Sequence, residues 1–164
     1  VFPTVKFYSQ LGGEAGIVQT VGMMKELANR AALHPWIRER AISLVSYCKR
    51  NRLCEERTLN GWTNGAIKFI RDPHGTEALH DPATYYEAQL RARIKPAGDC
   101  DDMSTYLAAL LKSIGHNCYF RIIDRTGNGN GYHHVMVYCD GNVYDPTLSY
   151  PVEEQPKREL YFEI

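Results

Sequence analysis

Apolar residues recur along this chain first at helical spacing and later at alternating spacing. Ile17, Val21, Met24, Leu27, Ala28 and Ala31 stand three or four apart in IVQTVGMMKELANRAAL, which predicts an amphipathic helix after GGEAG. Pro35 interrupts the pattern, and WIRERAISLVSYCKR carries a second stripe on Ile37, Ala41, Leu44, Val45 and Cys48. LNGWTNGAIKFI predicts a third helical stretch, weakened by its two glycines. The clearest stripe is Met103, Tyr106, Leu107, Leu110, Leu111 and Ile114, one face of a helix that follows Cys100 and stops at Gly115. Beyond it, NCYFRIID, YHHVMVYC and NVYDPT read as strands. The last two are joined by Asp140-Gly141, a strong hairpin signal. Residues 1–11 read as an extended arm, RDPHGTEALHDP as a surface loop, ATYYEAQLRARI as a short helix or irregular turn, and DRTGNGNG as a flexible connection. Helices followed by a helix feeding an antiparallel sheet predict an α+β fold.

A chain of 164 residues suits one domain, expected to span 1–164. Within it, 1–58 form the arm and N-terminal helices, 59–150 the core, and 151–164 a C-terminal tail. Apolar residues at 44% and charged residues at 23% predict a soluble globular protein. Zero formal net charge argues against a nucleic-acid partner, and no apolar run is long enough to span a membrane. No signal-peptide pattern is present, and the start at Val1 rather than Met leads to the expectation that something was trimmed. The five cysteines are odd in number and form no CxxC pair. A disulfide framework is therefore not expected, a reducing compartment is, and zinc-finger ligand spacing is missing.

The chemistry concentrates at GDCDD, residues 98–102. Asp99 can cap the helix, which puts Cys100 in its first turn. There the free N–H groups and the helix dipole favour a thiolate. Asp101 and Asp102 act against it, so a cationic neighbour is needed. The hairpin offers one. With a two-residue turn, Cys139 pairs with Asn142 and Asp145 lies opposite Met136, so His134 and Asp145 share a face as diagonal neighbours. His133 points to the other face. This predicts Cys100 as nucleophile, His134 as the base that takes its proton and forms an ion pair, and Asp145 as the group that orients the imidazole. The Cys100 N–H can help hold an oxyanion, and acyl transfer through a thioester is the reaction class.

Plainer readings stand beside each feature. A cysteine at a helix start is commonly inert, a strand histidine commonly structural, and Asp145-Pro146 can simply begin a turn. His116, Cys118, Cys139 and Cys48 read as packing or surface residues. GNGNG lacks the lysine and helix of a phosphate loop, and Asp124, Asn128 and Asn130 lack the full calcium-loop pattern. Cys100, His134 and Asp145 could alternatively bind zinc as three ligands.

Together, GDCDDMSTYLAALLKSIGHNCYFRI and HHVMVYCDGNVYDPT resemble the transglutaminase-like superfamily of papain-type fold, over about residues 60–150. IKFIRDPHGTEALHDP resembles the segment preceding GDCDD in transglutaminase-like cysteine peptidases of bacteriophages and prophages. Two positions depart from that pattern. His80 stands where glutamine is usual and becomes a weak oxyanion candidate, and Met136 stands where an aromatic is common. The resemblance implies Cys100, His134 and Asp145 as the triad, a peptide or protein substrate, no obligatory cofactor and no metal. It also implies a host-cytoplasmic or virion setting, with other phage structural proteins as partners. Hydrolysis is favoured over transfer to an amine. The alternative from another class is a structural or binding component of a phage particle, with eleven tyrosines available for an interface.

Overall fold

In a computed structural model that describes residues 5–9, 13–73, 76–127, 132–150 and 155–164, one helix is enclosed on every side by the rest. The elements run β1 (Val5–Ser9), α1 (Gly13–Ala32), α2 (Pro35–Val45), α3 (Arg52–Ala66), β2 (Lys68–Phe69), β3 (Thr76–His80), α4 (Ala88–Arg91), β4 (Ala97–Gly98), α5 (Cys100–Ser113), β5 (Cys118–Asp124), β6 (Tyr132–Cys139), β7 (Asn142–Tyr144) and β8 (Arg158–Glu163). The enclosed helix is α5. Every residue from Asp102 to Leu111 is buried. A helix apolar around its circumference must be covered on all faces, and α1, α2 and α3 pack on it from one side and β6 from the other. The chain is an α+β protein with N-terminal helices and α5 against a four-strand antiparallel sheet.

The N-terminal helices form where their stripes require. In α1, Val21, Met24, Leu27, Ala28 and Ala31 face the core. Pro35 is the first residue of α2 rather than only a break, and His34 caps it by accepting the Trp36 N–H at 3.2 Å. Helix α3 begins at Arg52, earlier than the apolar pattern suggests, because its buried face includes the polar Glu56 and Thr63. Arg40, partly exposed, pairs with the buried Glu87 at 2.8 Å, and the Tyr106 hydroxyl donates to Glu87 Oε2 at 2.8 Å. That carboxylate is thus satisfied inside the helical layer.

The sheet runs β7-β6-β5-β8. The β6–β7 register pairs Cys139 with Asn142, Tyr138 with Val143 and Val137 with Tyr144, as the two-residue turn predicts. Asp140 and Gly141 have φ of 47° and 87°, the positive pair that a type I′ turn needs. Strand β8 was not foreseen in the expected tail. It pairs with β5 on the edge away from β7, from Tyr119–Glu163 to Asp124–Arg158. The arm also finds a partner. β1 pairs antiparallel with β3, so the segment read as a surface loop contributes a strand. The short helix or irregular turn is a single π-helical turn, Pro82–Glu87, running into α4. Parts of the expected arm and tail, and residues 128–131 of the expected flexible connection with the Asn128 and Asn130 considered for calcium, lie outside the described residues. Among the described residues, no helix is long and apolar enough to cross a membrane.

The cysteines correct one expectation. Cys48 and Cys54 form a disulfide with Cα atoms 5.6 Å apart. An odd count does not prevent one bridge, and the left-handed Lys49 and Arg50 turn the chain so that the end of α2 meets the first turn of α3. The reducing-compartment expectation loses its main support. Replacing Cys54 by Ser should destabilise the chain by about 2 kcal/mol, the cost of releasing so short a loop. Urea unfolding of the oxidised protein and of C54S measures it.

Candidate functional site

The mouth of α5 is built around a glycine. A Cβ at Gly98 would collide with the Tyr86 hydroxyl and come within 2.7 Å of Asp102 Cβ, so the strand entering the helix can pass there only without a side chain. Asp99 then caps α5. Its Oδ1 accepts the N–H groups of Asp101 at 3.1 Å and Asp102 at 3.4 Å. Cys100 follows as the first helical residue.

The hairpin brings the other two candidates together. His134 Nε2 and Asp145 Oδ2 are 2.6 Å apart, both side chains largely buried. Asp145 Oδ1 accepts the Thr147 N–H at 3.0 Å and the Thr147 hydroxyl at 2.6 Å. One carboxylate oxygen thus closes the turn through the D-P-T segment and the other faces the imidazole. Asn64 on α3 donates to the Pro146 carbonyl at 3.0 Å and ties this turn to the helical layer. Burial works to raise the Asp145 pKa, but its hydrogen bond to His134, the charge there and the Thr147 donors outweigh it and hold the carboxyl below the ordinary range. With Nε2 on the carboxylate, Nδ1 is the ring nitrogen left for another partner. His133 sits at the β-bulge where β6 passes the end of β5, and is exposed.

Cys100 meets β6 from below. Ser104, one turn on from Cys100, donates to the carbonyl of Val135, next to His134 in the chain, at 3.1 Å. The thiol itself donates to Asp101 Oδ1 at 3.5 Å. Among the described residues no hydrogen bond joins Cys100 to His134. Burial pushes the thiol pKa well up, and the charges of Asp101 and Asp99 push it further, against the smaller help of Val135. The sequence predicts a thiolate paired with imidazolium; no hydrogen bond among the described residues makes that pair, and the surroundings of the sulfur act against its ionised form. Desolvation and the two flanking carboxylates favour the thiol form over the thiolate that a helix start would otherwise support.

The carboxylates at the mouth strain one another. Asp99 is pushed up to about 7, by burial first and then by the charges of Asp102 and Asp72. Asp101 is raised by burial and by its hydrogen bond to Glu77. His80, the weak candidate, is held against this cluster. Its Nδ1 lies 3.0 Å from Asp102 Oδ2, its N–H donates to Asp102 Oδ1 at 2.9 Å, and its ring lies 4.0 Å from that of Tyr85. Burial works to lower the His80 pKa, but the bond to Asp102 and the surrounding acids raise it. Among the described residues its Nε2 makes no hydrogen bond, which leaves a donor available near the first turn of α5. Sequence reading missed Asp102 as the anchor of His80 and Tyr86, and its place two residues after Cys100 was the only signal. The three-ligand zinc alternative finds no support. Among the described residues Cys100, His134 and Asp145 do not bring ligand atoms to one point.

Two expectations follow. Because the folded protein binds a proton at Asp99 more tightly than the unfolded chain, this group's stabilisation is full below about pH 4 and is lost as pH rises toward 7. Asp99→Asn keeps the cap acceptor and removes the charge. It should flatten that part of the pH–stability curve and raise stability at pH 8 by about 2 kcal/mol, read by thermal or urea unfolding. Alkylation of Cys100 by iodoacetamide should be slow at pH 7 and rise steeply toward and beyond pH 9, and Asp101→Asn should speed it at neutral pH. Rate measurements with peptide mapping check both. No protein-family model matches the chain, and neither does any curated protein or solved structure.

Proposed function

We propose that the protein is a thiol-dependent amide hydrolase or acyl transferase of transglutaminase-like, papain-type architecture, acting on a peptide or protein in a phage setting. Cys100 is the nucleophile, His134 the base and Asp145 its orienting acid. The observation that carries this reading is the 2.6 Å His134–Asp145 pair on the strand to which α5 is tied one turn after Cys100, through the Ser104 hydroxyl and the Val135 carbonyl. A histidine committed through Nε2 to a carboxylate has its Nδ1 lone pair free to accept a proton.

The neutral resting thiol sets the order of events. As the sulfur attacks the amide carbonyl, its proton passes to His134 Nδ1, and Asp145 stabilises the imidazolium that forms. The carbonyl oxygen becomes an oxyanion at the positive end of α5, where the Cys100 N–H and His80 Nε2 are donors of the right kind. His134 then returns the proton to the departing amine, leaving a thioester. Water activated by the same imidazole hydrolyses it, releasing the acid and restoring the thiol. An incoming amine in place of water gives transfer. Hydrolysis is the favoured outcome for so small a domain. Of the two expected settings, the virion accommodates the Cys48–Cys54 disulfide better than a reducing cytoplasm does.

One observation favours a second reading, a binding or structural particle component. Burial and the Asp99 and Asp101 charges hold the nucleophile in its unreactive form. Turnover separates the two. Incubating the whole chain with a proteome-derived peptide pool and a labelled amine should give new peptide ends without amine incorporation. Cys100→Ala and His134→Ala should each lower the rate by about 10³- to 10⁴-fold. Amine incorporation would move the reading to transfer. Absence of any reaction would favour the binding component.

A further inference from the structure

The far end of the sheet gathers four metal-ligating side chains that the proposed chemistry does not use. Glu56 on α3, His116 between α5 and β5, Cys139 at the end of β6 and Asp140 in the hairpin turn bring one ligand atom each within 4.8 Å of one another. Glu56, His116 and Cys139 are buried, at 1%, 2% and 0% exposure. Cys139 is five residues along β6 from His134, on the order of 17 Å away. This cluster is therefore separate from the α5 mouth, and the inference does not rest on the proposed activity.

The independent sign of a missing partner is Glu56. Its Oε1 is buried and accepts no hydrogen bond, although its Oε2 accepts the Tyr144 hydroxyl at 2.6 Å. The orphan oxygen lies 3.3 Å from His116 Nδ1, which is also 3.7 Å from Cys139 Sγ and 3.9 Å from Asp140 Oδ2. Zinc binds nitrogen and oxygen at about 2.0–2.1 Å and sulfur at about 2.3 Å. Tetrahedral geometry then sets neighbouring N and O atoms about 3.3 Å apart, and N and S about 3.5 Å apart. The observed spacings therefore already approximate a coordination shell.

Each of the four also has a supporting partner outside the cluster. His116 Nε2 is 2.7 Å from Glu55 Oε2, the carboxylate–histidine arrangement that turns the other ring nitrogen toward a metal. Cys118 donates to Cys139 Sγ at 3.2 Å, Tyr144 holds Glu56, and Arg52 Nε donates to Asp140 Oδ2 at 2.6 Å. Three anionic ligands exceed a divalent charge by one, and the Arg52 guanidinium offsets it. A buried carboxylate left without a donor costs free energy that a cation would recover.

We infer that Glu56, His116, Cys139 and Asp140 form a closed four-ligand site for a zinc-like divalent ion. On binding, the Cys139 thiol, which otherwise donates to the Asn117 carbonyl at 3.4 Å, releases its proton to solvent, and His116 binds through unprotonated Nδ1. The ion joins α3, the α5–β5 junction and the β6–β7 turn, and so fixes the hairpin from the end opposite His134 and Asp145. Its role is structural, since all four positions are filled by protein.

The test uses the whole chain, purified without an affinity metal, equilibrated anaerobically with zinc chloride and desalted. Elemental analysis should find one equivalent of zinc. Cobalt chloride in its place should give the strong visible absorption of a tetrahedral site with a near-ultraviolet thiolate-to-metal band. Cys139→Ser should abolish that band, while Cys100→Ser leaves it intact. Glu55→Gln, which replaces no ligand and keeps an acceptor for His116 Nε2, should weaken zinc binding by about 10- to 100-fold in a competition titration with a chelating dye. Folded wild type that retains no zinc would overturn the inference, leaving a charged His116 as counterion to the acids. Zinc held unchanged in Cys139→Ser, or cobalt bound without the thiolate band, would equally overturn it by placing the ion elsewhere.

Discussion

The enclosure of α5 governs the rest of the structure. A helix buried from Asp102 to Leu111 leaves little freedom in where its first residue can sit. The helices cover one side and β6 the other, so the mouth of α5 opens where β6 begins, beside His134. Deleting core volume there costs of the order of 2–5 kcal/mol for a Leu→Ala change. The hairpin register completes the geometry by putting His134 and Asp145 on one face.

The same placement creates an electrostatic conflict. Burying the GDCDD segment brings Asp99, Asp101 and Asp102 near Asp72 and Glu77 in a poorly hydrated region, and the pKa values of Asp99, Asp101 and Asp72 rise as a result. Each carboxylate has a local task. Asp99 caps the helix, Asp102 holds His80, and Asp72 accepts the Ala78 N–H at 2.5 Å. Together they oppose ionisation of Cys100. In the function we propose, the attack is therefore by a thiol deprotonated as the bond forms, with the imidazole as base, in place of a stored thiolate.

The fold was legible where local signals determined it. The D-G turn fixes strand parity, so the pairing of β6 with β7 and the His134–Asp145 contact could be counted out from residue numbers. The apolar stripes of α1, α2 and α5 located their buried faces. What stayed hidden was non-local or polar. β8 has only half-exposed Leu160 and Phe162 to mark it, and its partner β5 lies far upstream. β1 and β3 identify each other only in space. The start of α3 was obscured because buried Glu56 and Thr63 interrupt the apolar count. The Cys48–Cys54 bridge depended on two left-handed residues that composition does not reveal. At the site, the positions of Cys100, His134 and Asp145 were readable, but the burial that raises the thiol was not, because it arises only when segments distant in the chain pack around the start of α5.

The account reduces to a claim that an imidazole on β6 controls the reactivity of a sulfur at the mouth of α5. The most direct measurement is capture by a peptidyl vinyl sulfone, with the modified residue identified by mass spectrometry in the wild type and in His134→Ala. The account predicts an adduct on Cys100 in the wild type, its loss in the variant, and no modification of buried Cys118 or Cys139. Equal labelling of Cys100 in both proteins, or an adduct confined to another cysteine, would contradict it.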